Sequence, residues 1–243
     1  MIIDKELCTG CGNCLPVCPV GAIHLKSEYA EIDEERCVEC SACYRARRCP
    51  VDAFNQEPDL PWPRVIRRVF SDPNAPHSST TGGWGRGTSE MKSNDVTGRY
   101  KRGQIGIAVE VGRPGVGVSI RTIEKIAASF ASLGVKFEPI NPLTYLMEDT
   151  GKGIFKEDVK NERVLSAIIE FLTEPSKLKE VMKALEESSA SAKDTVFSVS
   201  LINRVELSGD IPTIDALEKL GYKVSPNAKV NLGLGRPKAK EES

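Results

Sequence analysis

The chain has 243 residues, 40% of them hydrophobic, enough for one large domain or two ordinary ones with a real core. Its net charge of −1 gives no case for nucleic acid or a membrane surface as partner, and no apolar run approaches the ~20 residues of a membrane-spanning helix. The start, MIIDKELC, has no basic stretch, apolar run or small-residue cleavage site, so a cytoplasmic location is expected. All eight cysteines lie between Cys8 and Cys49. With no secretion signal and a long cysteine-free remainder, metal ligation is the better expectation than a disulfide scaffold.

Residues 1–57 contain an internal repeat. Cys8, Cys11, Cys14, Cys18 and Pro19 align with Cys37, Cys40, Cys43, Cys49 and Pro50, and Val20, Ala22 and Ile23 with Val51, Ala53 and Phe54. Between the copies, AIHLKSEYAEID alternates as a β-hairpin does. Residues 58–103 turn rich in Pro, Gly, Ser and Thr, and residues 61–103 carry eight Arg/Lys against three Asp/Glu, where the first sixty carry six against eleven. Only WPRVIRRVF there reads as locally ordered, so the segment is expected to be a linker or functional loop. From Gln104 regular elements are expected: a strand IGIAVEV, a helix from an N-cap at Ser119 to a stop at Gly134, and a strand VKFEPI. A loop with a short helix runs from NPLTYL to DVKNE, then comes RVLSAIIEFL, whose apolar run fits strand or helix. SKLKEVMKALEES is a helix, TVFSVSLINRV a strand, PTIDALEKLGY a helix and KVNLGLG a last short strand. Two successive β-α-β units over 104–235 suggest a split βαβ, ferredoxin-like sheet. Residues 236–243 are a polar tail.

The first cysteine run is C-x2-C-x2-C-x3-C-P. Zinc also accepts four thiolates, but zinc ribbons set two C-x2-C pairs well apart. By this run and its repeat, residues 1–57 resemble the bacterial-type two-cluster ferredoxin family. The resemblance implies two 4Fe–4S clusters with crossed ligation. One would take Cys8, Cys11, Cys14 and Cys49, the other Cys37, Cys40, Cys43 and Cys18. Gly10, Gly12 and Ser41 would let backbone N–H groups approach the sulfurs. The second run departs from the pattern, with five residues, Tyr44 to Arg48, between Cys43 and Cys49. That insertion brings Arg45, Arg47 and Arg48 near the cysteines, either to tune the site or as a solvated basic turn.

Weaker signals lie further on. TTGGWGRGTSE, with Gly82, Gly83, Gly85, Gly87 and Arg86, suits an anion nest or, better, a loop ordered by a partner. The glycines Gly112, Gly115 and Gly117 do not match the dinucleotide fingerprint. With Arg113 and Ser119 they suit a carboxylate or phosphate at a helix start, as in the ACT-like domains that residues 104–235 loosely resemble, or a plain tight turn. His24 and His77 are isolated, and no catalytic residues are visible. Trp62 and Trp84 beside arginines suit interface anchors or, equally, a cover over the ferredoxin core.

The leading expectation is therefore an α+β iron–sulfur electron-transfer protein. It would be the ferredoxin-like subunit of a cytoplasmic oxidoreductase complex, in an anaerobe or archaeon. Its partner would be a catalytic oxidoreductase subunit or another redox protein, with self-association through the C-terminal domain also in view. The alternatives are a redox- or ligand-sensing regulatory protein with an ACT-like domain, or a reductase with its own substrate site.

Overall fold

The computed structural model describes residues 1–75, 98–112, 115–193 and 195–225. In the cysteine-bearing part, β1 (Ile2–Ile3) pairs antiparallel with β4 (Phe54–Asn55), and β2 (Ile23–Leu25) with β3 (Ala30–Ile32); a short helix α1 (Ala42–Arg45) lies between β3 and β4. The sequence repeat recurs in the hydrogen bonds. Asp4 donates its N–H to the Ala53 carbonyl and Asp33 to that of Ala22, both at 2.8 Å. The carboxylate of Asp4 caps the N–H groups of Glu6 and Leu7, and that of Asp33 those of Glu35 and Arg36. Each half begins its cysteine loop from the same Asx turn, because a short carboxylate accepts from the backbone two and three residues on.

Helix α2 (Val65–Ser71) follows, inside the segment expected to be a linker. It buries Ile66 and Phe70 in the main apolar core. That core lies against a four-stranded antiparallel sheet. Its strands are β5 (Ile105–Val111), β7 (Lys136–Phe137), β11 (Ala167–Thr173) and β12 (Phe197–Ile202), in the spatial order β12-β5-β11-β7. Helices α3 (Ile120–Ala131) and α5 (Leu178–Ser191) form the two crossovers. With β5 odd-numbered residues facing in, Ile105, Ile107, Val109 and Val111 pack with Ile123, Ile126 and Phe130 of α3 and Val181 and Leu185 of α5. Phe130 stacks on Phe171 with ring centroids 4.7 Å apart. Ser119 caps α3 by accepting the Thr122 N–H at 3.1 Å, and Gly134 takes the left-handed conformation (φ +68°) beyond its end. Smaller elements border the sheet: β6 (Val118–Ser119) pairs with β10 (Arg163–Val164), and β8 (Met147–Asp149) with β9 (Ile154–Phe155) beyond α4 (Pro142–Leu146). Helix α6 (Pro212–Lys219) ends the described chain.

The sequence differs from the structure in extent more than in kind. VKFEPI pairs as a strand only at Lys136 and Phe137; Glu138 still donates its N–H to the Glu170 carbonyl at 2.8 Å, and Asn141 then caps α4. RVLSAIIEFL breaks into β10 and β11 at Leu165–Ser166. The expected strand KVNLGLG, the tail, His77, Trp84, Arg86 with its glycines, and Arg113 lie outside the described residues. The architecture is mixed α+β. The expectation of a two-cluster ferredoxin fold is corrected: among the described residues, no group of three or more His, Cys, Asp or Glu side chains is arranged to hold a metal ion.

Candidate functional site: two cysteine clefts

The two cysteine runs are brought together crosswise. Cys8, Cys11, Cys14 and Cys49 line one cleft with Ile3, Ala30, Ala53 and Phe54. Cys18, Cys37, Cys40 and Cys43 line a second with Met1, Val20, Ile23 and Val38. In each half the fourth cysteine leaves its own loop and enters the other half's wall, as the β1–β4 pairing requires by folding the ends of this unit together. None of the eight forms a disulfide. Backbone N–H groups point at three sulfurs. Ala22 donates to Cys18 Sγ at 3.1 Å, Ala53 to Cys49 Sγ at 3.3 Å and Ala30 to Cys8 Sγ at 3.3 Å.

The clefts differ electrostatically. In the first, Cys11 is exposed and Cys14 is pushed above the ordinary thiol value, chiefly by burial. In the second, burial raises Cys37, with the nearby Glu39 charge adding to it, and burial also raises Cys40. Cys43 is pushed up to about 12 by burial and by its neighbours Cys40 and Cys37. Apolar walls disfavour the thiolate, and a thiolate beside other thiolates is disfavoured again. Burial therefore disfavours the thiolate at Cys37, Cys40 and Cys43, while the exposed Cys11 leaves the first cleft more open to solvent.

A polar belt joins the second cleft to the sheet. Arg67 of α2 is buried. It donates to the carbonyls of Glu34 (2.7 Å), Glu35 (3.1 Å) and Cys37 (2.8 Å) and forms an ion pair with Glu162 across the core. Arg64 holds the buried Glu39 at 2.7 Å, and the Met1 ammonium holds the same carboxylate at 2.7 Å. Burial pushes the Glu39 carboxyl up, and these two cations outweigh it, so it sits below the ordinary value. Arg45 pairs with Asp72 at 2.5 Å, and the Leu165 N–H donates to Ser71 Oγ at 2.8 Å. The glycine turn after β5 closes the same seam. A Cβ at Gly112 (φ +91°) would sit 2.6 Å from the Leu165 carbonyl, and one at Gly117 would sit 3.3 Å from Val20 in the cleft wall. That turn is thus a packing device between cleft and sheet, where sequence reading offered an anion site or a plain turn. Sequence reading missed Arg67, Glu162 and Glu39. The arginine run in WPRVIRRVF was visible, but its buried acidic partners are distant in the chain. Trp62, expected as an anchor for another protein, is half exposed and donates its indole N–H to Asp158 at 2.5 Å. His24 lies exposed on the hairpin, 3.9 Å from Glu31.

The model of the 4Fe-4S binding domain family matches residues 1–24. Ferredoxin-1 of Rhodobacter capsulatus is 45% identical over 49 residues, which span 20% of this chain and 75% of that protein. The ferredoxin-like protein in the vnf region of Azotobacter vinelandii is 40% identical over 62 residues, 24% of this chain and 95% of that one. One component of the H(2):CoB-CoM heterodisulfide,ferredoxin reductase of Methanothermobacter marburgensis is 31% identical over 108 residues, 36% of this chain but 16% of that protein. None of the solved structures matches the chain. Through its N-terminal region the chain belongs to the ferredoxin family.

Membership does not bring the expected two-cluster assignment with it. The family model covers the first cysteine run and stops before the second. The described cysteines line the clefts four to each, and among the described residues no group of three or more His, Cys, Asp or Glu is arranged to hold a metal ion. On these findings the two-cluster recognition, the two 4Fe–4S cofactors, and iron–sulfur electron transfer as the main function are corrected. Among the described residues no helix is long and apolar enough to cross a membrane.

Proposed function

We propose that the chain is a redox-sensing regulatory protein. In this reading the two quartets, Cys8, Cys11, Cys14 and Cys49, and Cys18, Cys37, Cys40 and Cys43, are its responsive and ligand-binding residues. Residues 1–57 act as the sensing unit, 104–235 as the responding unit, and both work in the cytoplasm on an oxidoreductase or other redox-protein partner. The observation that carries the reading is Arg67, whose guanidinium is bonded at once to the Cys37 carbonyl and to Glu162 beside the sheet. A change in the state of the sulfurs that shifts the Cys37 loop must either move that buried cation or strain its bonds, and both outcomes reach β10. The packing of Gly117 against Val20 and the Val164 carbonyl supplies a second contact along the same route. The likeness to the heterodisulfide,ferredoxin reductase component supports a redox partner.

The test is hydrogen exchange on the full chain, reduced anaerobically and then oxidised. The expected result is a change in protection at residues 33–38 that is matched at 115–120 and 162–167. Changes confined to the cysteine loops would overturn the reading. So would protein carrying stoichiometric iron and acid-labile sulfide that passes electrons to an acceptor with no change at the sheet.

A further inference from the structure

We propose that the turn Tyr44–Arg48, which links the walls of the two cysteine clefts, is a docking surface for the acidic face of a partner protein. The turn joins Cys43, in the wall of the second cleft, to Cys49, in the wall of the first. It contains the two residues by which the second cysteine run exceeds the first. Of its three arginines, Arg45 is used internally, tied to the buried Asp72 at 2.5 Å, and this fixes the turn to α2. Arg47 and Arg48 are exposed and make no ion pair with any described residue. Arg47 is moreover held at φ +47°, a conformation that costs an arginine about 1 kcal/mol or more.

Charge sets this turn apart from its surroundings. The first sixty residues carry more acids than bases, so two unpaired guanidinium groups make a local positive patch on an otherwise acidic unit. Exposed apolar side chains accompany it, Tyr44 (46% exposed) at its start and Val51 (36%) just beyond Cys49. Arginine and tyrosine around a small apolar margin are what protein interfaces favour. Carboxylates take arginine in paired hydrogen bonds that a lone lysine does not offer. The proposal is independent of the redox reading, because docking here needs no change of state in the sulfurs.

The test is binding of the full chain to immobilised poly-L-glutamate at low salt, with melting temperature measured alongside. Arg47→Glu/Arg48→Glu should weaken binding at least tenfold. Arg47→Gln/Arg48→Gln should weaken it at least threefold, and covers the case in which the reversal disturbs folding. Lys5→Glu/Lys26→Glu, an equal change in net charge on the hairpin side, should change it less than twofold. Equal loss in both reversals would mean bulk charge alone and would overturn the proposal. No binding by the unmodified chain would do the same, as would equal or tighter binding to a DNA duplex that is lost in the same variants.

Discussion

Three glycines of the first cysteine run, Gly10, Gly12 and Gly21, adopt positive φ, and their counterparts in the second are Glu39, Ser41 and Asp52, also at positive φ. The loop geometry is thus imposed twice, once by residues that accept it freely and once by residues that resist it. Gly10 is the least replaceable. A Cβ there would lie 2.8 Å from the Glu28 carbonyl, so Gly10→Ala should cost roughly 1–3 kcal/mol in a urea titration. Gly21→Ala, whose nearest neighbour is the end of Arg36 at 3.6 Å, should cost less than Gly10→Ala. Glu39 adds a charge argument. Glu39→Gln leaves the Met1 ammonium and Arg64 facing an uncharged amide, a loss of about 3 kcal/mol at pH 7. Because the Glu39 carboxyl lies below its ordinary value in the folded chain, its contribution is present above the unfolded carboxyl's pKa and disappears as pH falls through the folded one. The stability gap between the unmodified chain and Glu39→Gln should therefore close in acid.

Among the elements, α2 is the piece whose role differs most from its sequence. WPRVIRRVF reads as a short ordered stretch in a linker, yet it supplies Ile66 and Phe70 to the core and Arg64, Arg67 and Arg68 to the carbonyls and carboxylates of the cysteine unit. Arg67→Met should cost about 3–5 kcal/mol, since it strands the buried Glu162 and removes the donor to three carbonyls. Hydrogen exchange should locate the loss at residues 33–38 and 162–166. By contrast, α3 was legible from its sequence. A serine cap, apolar residues at helical spacing and a terminal glycine all act within the helix itself, and Ser119→Ala should cost about 1 kcal/mol, read from thermal melting.

For the molecule as a whole, the core of the sheet and the seam to the clefts are one continuous problem of burial. A fragment of residues 104–243 contains the sheet, but it lacks the two side chains that α2 places in its core. Removing buried groups of that size costs roughly 2–5 kcal/mol each when a cavity remains. A fragment of residues 58–243 should therefore unfold at clearly higher urea than one of 104–243. Equal midpoints would show that α2 covers the sheet without stabilising it.

What is local and repetitive could be read along the chain. The duplicated cysteine run, the caps of α3 and the alternation of the strands depend on residues within a few positions of one another. Tertiary structure decided the rest, because it depends on which distant groups share a buried volume. It set the strand order β12-β5-β11-β7, drew α2 into the core and paired Arg67 with Glu162. It also distributed eight cysteines along two cleft walls. Spacing along the chain states which cysteines can be close, but the arrangement of their sulfurs in space is settled only when the walls are packed.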